Sequence, residues 1–130
     1  MERRVLIVAG FGFRTGANVA SLCTALAAAQ HECAPVKALA APLDKLTLVS
    51  ELAEALGLPV IAVPPDALRV PITQTQSIAS LEARQTGSVA EASALAAAGP
   101  GAQLLATRHI SPDRMATCAI ARSGVEGPAA

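Results

Sequence analysis

The feature that most constrains this chain is its opening run. Residues 4–9, Arg-Val-Leu-Ile-Val-Ala, lead straight into Gly10-Phe11-Gly12-Phe13-Arg14, and an amphipathic segment follows. A short β-branched apolar run bounded by glycine suits a strand buried on both faces. Over residues 17–30, Val19, Leu22, Cys23, Leu26 and Ala27 fall on one face of a helix, with Thr15 or Asn18 placed to cap it. Strand, glycine-rich turn and helix make the first half of an α/β unit. At such a turn the backbone N–H groups and the helix dipole favour an anion.

The same alternation continues. Pro35 opens a second strand over 36–39. Leu48, Val49, Leu52, Ala53 and Leu56 form the inner face of a helix over 48–56, which Gly57 stops. Val60-Ile61-Ala62-Val63 is a third strand, ended by Pro64-Pro65-Asp66, with one helical turn at Ala67-Leu68. Residues 70–76 read as loop and 77–84 as a short helix broken by Gly87. Ser88-Val89-Ala90-Glu91 is a capping-box pattern that opens a helix over 89–98, and Gly99-Pro100-Gly101 stops it. Strands over 103–107 and 117–121 form a hairpin around Ser111-Pro112-Asp113. The β-α-β-α-β order calls for helices on both faces of a sheet, and the closing strand pair makes that sheet mixed. The expected fold is therefore α/β, three-layer α/β/α, with a mixed sheet of about five strands. Without repeats or a linker, residues 1–122 form a single domain and 123–130 a flexible tail.

Several function classes are excluded. The net charge is zero and the one basic pair is Arg3-Arg4, so the electrostatic footprint of a nucleic-acid binder is missing. The only aromatics are Phe11 and Phe13, too few for a base-stacking platform. Cys23, Cys33 and Cys118 have no metal-ligand spacing and read as reduced thiols, two of them buried. His31 and His109 also lack partners at ligand spacing, so no metal and no cofactor is expected. The first apolar run is interrupted by glycines and Arg14, unlike a secretory signal. No stretch approaches the ~20 apolar residues of a membrane span. The cytoplasm is the expected location. Only 15% of residues are charged, which leaves apolar surface for a ligand or a second subunit to cover.

The candidate site centres on residues 10–16. Gly10 and Gly12 allow close approach of a ligand, and Arg14 adds a planar cationic fork suited to carboxylate or phosphate. The spacing G-x-G-x-x-x-G is neither the dinucleotide fingerprint nor the phosphate-binding P-loop. Phe11 and Phe13 point the same way if the chain is extended there. They form either an apolar wall beside the arginine or one end of the core. Lys45 lies near a helix start, where a cation is mildly unfavourable, which hints at a ligand-facing role. Glu91 and Ser88 are an acid–base candidate and its neighbour, or simply the two halves of a cap.

Gly10-Phe11-Gly12-Phe13-Arg14, the lysine before the second helix, and the block Gly87-Ser88-Val89-Ala90-Glu91-Ala92-Ser93-Ala94-Leu95 together resemble the CobE/CbiG C-terminal-domain family of cobalamin biosynthesis. The resemblance runs from Val5 to Arg122. It implies a three-layer α/β/α domain of the corrin pathway, with a corrin or precorrin intermediate and other pathway enzymes as partners. The larger relatives open a precorrin lactone and release acetaldehyde, and they carry N-terminal sequence not seen here. The resemblance therefore implies a binder or carrier of an intermediate. Thr47-Leu48 stand where the family has an acidic residue, and Arg108 stands where it has a base after the later strands. The implied ligand-binding set is Gly10, Phe11, Gly12, Phe13, Arg14, Lys45, Gly87, Ser88 and Arg108. Two alternatives stand beside it. One is a lactone hydrolase with Glu91 as catalytic base and Lys45 or Arg14 stabilising developing charge. The other is a small phosphate- or nucleotide-binding domain.

Overall fold

The computed structural model describes residues 6–30, 35–68 and 88–124. In chain order the elements are β1 (Ile7–Phe13), α1 (Val19–Gln30), β2 (Ala38–Pro42), a 3₁₀ turn (Leu43–Lys45), α2 (Leu46–Leu56), β3 (Val60–Val63), α3 (Pro65–Leu68), α4 (Val89–Ala98), β4 (Gln103–Ile110) and β5 (Ala116–Arg122). The five strands form one sheet in the order β3-β2-β1-β5-β4. β1, β2 and β3 are mutually parallel, while β5 runs antiparallel to both β1 and β4. The sheet is mixed and lies between two helical layers, as the sequence pattern requires.

Side chains alternate across a strand, and β1 feeds both layers. Ile7, Ala9 and Phe11 pack with Leu22, Ala25 and Leu26 of α1 and Val49, Leu52 and Ala53 of α2. Val8 packs on the other face with Ala92, Ala94 and Ala98 of α4. Both α1 and α2 connect parallel neighbours stepping the same way across the sheet, so the right-handed crossover rule puts them on one side. Among the described residues, α4 covers the other side, with Ala67 of α3 packed beside it.

Several sequence expectations need correction. First, β1 does not end at Ala9. Gly10, Phe11, Gly12 and Phe13 are strand, paired with β5 from Ile7↔Arg122 to Phe13↔Ala116. Local pattern treats two glycines as a loop because glycine weakens a strand. Here the long antiparallel partner sustains it. Second, α1 starts at Val19, and its buried face is Ser21, Leu22, Ala25, Leu26 and Ala29, with Cys23 exposed. A helix that is nearly half alanine has too little apolar contrast to fix its own rotation. Third, β2 lies over residues 38–42 instead of 36–39. Leu56, expected to face inward, is 45% exposed at the end of α2.

The remaining elements are present as expected, although α2 begins at Leu46 instead of 48 and β4 runs on to Ile110 instead of ending at 107. Gly57 closes α2 in the left-handed conformation, φ 72°, with its N–H on the carbonyls of Ala53 and Glu54. Ser88 caps α4, and Ser111–Met115 joins β4 to β5. The pairing of β1 and β5 continues past Arg122, because Ser123 exchanges hydrogen bonds with the backbone of Leu6 at 2.8 and 2.9 Å. The expected loop over 70–76, the helix over 77–84, Gly87, His31, Cys33 and the tail beyond Gly124 lie outside the described residues. Among those described, no helix is long and apolar enough to cross a membrane.

Candidate functional site

In α/β sheets, ligands bind beyond the carboxyl ends of the parallel strands, where neighbouring connections diverge. Here β1 ends at Phe13, β2 at Pro42 and β3 at Val63. The start of α4 and the β4–β5 hairpin lie at the same end, since Thr117 is level with Gly12 and Val89 packs against it. The topology therefore gathers Arg14, Lys45, Ser88, Glu91 and Arg108 at one end of the molecule.

The two glycines of β1 have a packing duty. A Cβ on Gly10 would stand 2.3 Å from the carbonyl oxygen of Ala90 and 2.4 Å from the nitrogen of Ala94. One on Gly12 would meet Thr117 Oγ1 at 3.0 Å and Val89 Cβ at 3.3 Å. The close approach that the sequence suggested for a ligand is taken by α4. Phe11 is likewise core, with no exposed surface. It supports the strand end from beneath and is not a wall. Phe13 is only partly buried and does reach the edge.

Lys45 and Arg14 form the cationic part. The Lys45 ammonium lies 5.1 Å from the centroid of the Phe13 ring and 3.5 Å from the Phe13 carbonyl oxygen. The side chain is half-buried, held there by the 3₁₀ turn that precedes α2. Arg14 is exposed, with its backbone N–H on the Met115 carbonyl at 2.9 Å. Neither cation has an acidic partner among the described residues. Beside them, Leu43 is 54% exposed. Nothing in the local sequence singled it out, because a leucine after proline reads as the start of a helix face.

Ser88 and Glu91 have no solvent-exposed surface. Ser88 Oγ accepts from Glu91 N at 3.2 Å, closing the first turn of α4. Glu91 Oε2 accepts from Arg108 N at 2.9 Å. Arg108 lies in a bulge of β4, where the register shifts between Ala106 and His109. A bulge frees a backbone group from the ladder, and here the carboxylate takes it. A general base must come within hydrogen-bond reach of the proton it removes. Glu91 is enclosed, and one of its carboxylate oxygens is tied to the backbone of a neighbouring strand.

A polar cluster borders the same end, built on the Asn18 cap that the sequence offered and joined to a partner it did not reveal. Asn18 Oδ1 accepts from Ser21 N at 2.9 Å, and Ser21 Oγ accepts from Asn18 N at 3.3 Å, a reciprocal cap on α1. Ser21 Oγ also donates to Asp113 at 2.6 Å. Asp113 takes further bonds from Ser111 Oγ and Met115 N. Those donors, Ser111 first and then Ser21 and Met115, hold its carboxyl below the ordinary carboxylate range. The Asn-x-x-Ser spacing was readable, but nothing local links it to a residue 92 positions away. Among the described residues, no group of three or more His, Cys, Asp or Glu could hold a metal.

Fold and site together define a class, the small three-layer α/β/α domains with a mixed sheet and a cationic edge. Residues 7–121 match the cobalamin synthesis G C-terminus family, and the chain belongs to it. CobE, a protein from the cobalamin (vitamin B12) biosynthetic pathway, is 30% identical and superposes with a TM-score of 0.82, covering 94% of this chain and 93% of that one. The cobalamin biosynthesis protein chiG from Agrobacterium tumefaciens is 33% identical with a TM-score of 0.71, over 92% of this chain and all (100%) of that one. A cobalamin biosynthesis protein G homolog from Sulfolobus solfataricus, 16% identical with a TM-score of 0.70 over 92% of this chain and 37% of its own, shares the fold. No curated protein sequence matches the chain. Family and structural kinship make this a protein of cobalamin biosynthesis.

Proposed function

We propose that the domain binds a carboxylate-bearing corrin or precorrin intermediate at the carboxyl end of its parallel strands. One observation carries this reading. The half-buried Lys45 ammonium rests on the ring and carbonyl of Phe13, the residue before Arg14, with no carboxylate partner among the described residues. A cation–π contact of this kind is worth about 0.5–1 kcal/mol, less than an ammonium gains from a carboxylate in a shielded site. A ligand carboxylate would supply the missing partner. Exposed Leu43 and the rim of Phe13 offer apolar surface for the ring itself. The enclosed Glu91 supports binding over lactone hydrolysis. In this role the domain works in the cytoplasm and exchanges its ligand with pathway enzymes.

The test is a titration of hydrogenobyrinic acid, followed by absorbance, against wild type, Arg14→Ala and Lys45→Ala. Each variant is expected to bind about fivefold more weakly, since each loses roughly 1 kcal/mol of a partly exposed ion pair. The loss should shrink as salt is added. Equal affinity for all three proteins would remove this edge from the site.

A further inference from the structure

The turn that carries Arg14 is fastened to the hairpin at both ends. At its start, Arg14 N donates to Met115 O at 2.9 Å. Just beyond its end, Ser21 in the first turn of α1 donates to Asp113 at 2.6 Å. Asp113 is in turn braced by Ser111 Oγ and by Met115 N at 3.1 Å. Between these points, Gly16 adopts φ 100°, and a Cβ there would meet the Met115 methyl at 3.2 Å. The turn thus has a left-handed glycine, one internal bond from Ala17 N to Arg14 O at 3.0 Å, and two attachments to the hairpin. Asp113 joins the two attachments, because its carboxylate bonds both Ser21 and the backbone of Met115.

We infer that Asp113 is a positioning residue for the cationic edge, holding the 14–18 turn against the hairpin so that Arg14 is presented in one place. The inference rests on the ligand reading above and deepens it. A binding group on a turn is only as well placed as the contacts behind it, and ordering it beforehand spares the ligand that cost. The carboxylate bonds Ser21, Ser111 and Met115, and its effect on the ligand passes through Arg14.

The experiment has a ligand-free arm and a ligand arm. In the ligand-free arm, hydrogen exchange is compared in wild type, Asp113→Ala and Ser21→Ala. The Arg14 and Ala17 amides should exchange about tenfold faster in both variants, while those of Val8 to Phe11 keep their protection. In the ligand arm, hydrogenobyrinic acid should bind Asp113→Ala about threefold more weakly than wild type. Adding Asp113→Ala to Arg14→Ala should cause no further loss, the non-additivity expected when one residue acts through another. Unchanged exchange at Arg14 overturns the inference. So does an equal loss in both backgrounds, which would mean a general weakening of the fold. Failure of wild type to bind the corrinoid sinks the ligand reading and the positioning role with it, while exchange still shows whether Asp113 holds the turn.

Discussion

An alanine at position 10 would put a methyl group 2.3 Å from the Ala90 carbonyl oxygen and 2.4 Å from the Ala94 nitrogen. Both obstacles are backbone atoms of α4, so no side chain can rotate away. To reach a tolerable ~3.2 Å, the helix must move off the sheet by ~0.9 Å, which also loosens Ala92, Ala94 and Ala98 against Val8. Overpacking of this kind costs about 1–3 kcal/mol, and two rigid obstacles put Gly10→Ala near the upper end, about 3 kcal/mol. The sign is informative. In a strand with open space above it, replacing glycine by alanine stabilises by about 0.5–1 kcal/mol. Urea and thermal unfolding followed by circular dichroism should show a loss of about 3 kcal/mol and roughly 10 °C. Gly57→Ala serves as a control for backbone strain alone. It has nothing within 4 Å but a φ of 72°, so it should cost only about 1 kcal/mol. If Gly10→Ala is neutral or stabilising, α4 does not lie on β1 as described.

Two further outcomes follow from buried or bonded carboxylates. Glu91→Gln keeps an acceptor for the Arg108 amide and should be tolerated far better than Glu91→Ala, which leaves that N–H unpaired at a cost of about 1–3 kcal/mol; denaturant midpoints would separate them. The pH dependence of stability should carry the mark of Asp113. Its carboxyl is lowered from 3.8 in the fold, so its contribution is full above that value and disappears as pH falls through the lower folded value. Melting temperatures taken from pH 5 downwards should fall less steeply in Asp113→Asn than in wild type, and identical slopes would show that the hydroxyl and amide donors do not favour the charged form.

What could be read from the sequence was the part set by local chemistry. Ser88 and Glu91 announced the start of α4, Gly57 the end of α2, and the apolar runs at 60–63 and 117–121 two of the strands. What could not be read depended on partners far along the chain. Gly12 lies beside Thr117, 105 residues away, and that pairing turns an apparent loop into strand. The glycines then acquire a different meaning, since the space they leave is filled by α4. In the same way, the rotation of α1 follows from what Leu22, Ala25 and Leu26 meet on the sheet and Ser21 on the hairpin, which its alanine-rich pattern alone does not reveal. The site was legible to the same degree. The sequence marked Arg14 and Lys45 as cations without obvious duties. It could not show that Phe11 points inward while Phe13 supports Lys45, because the two differ only in how far the neighbouring elements extend.

The strand order has a consequence for how this fold comes into being. β5, the last of the described strands along the chain, sits between β1 and β4. As the chain emerges during synthesis, β1, β2 and β3 can assemble early, but one side of β1 then stays open, with its hydrogen-bonding groups bare. Such an open edge invites pairing with the wrong chain. Until β5 arrives to fill the gap, the nascent domain is at its most vulnerable. Insertion of that one strand joins β4 to β1 and completes the end of the sheet on which the ligand would rest.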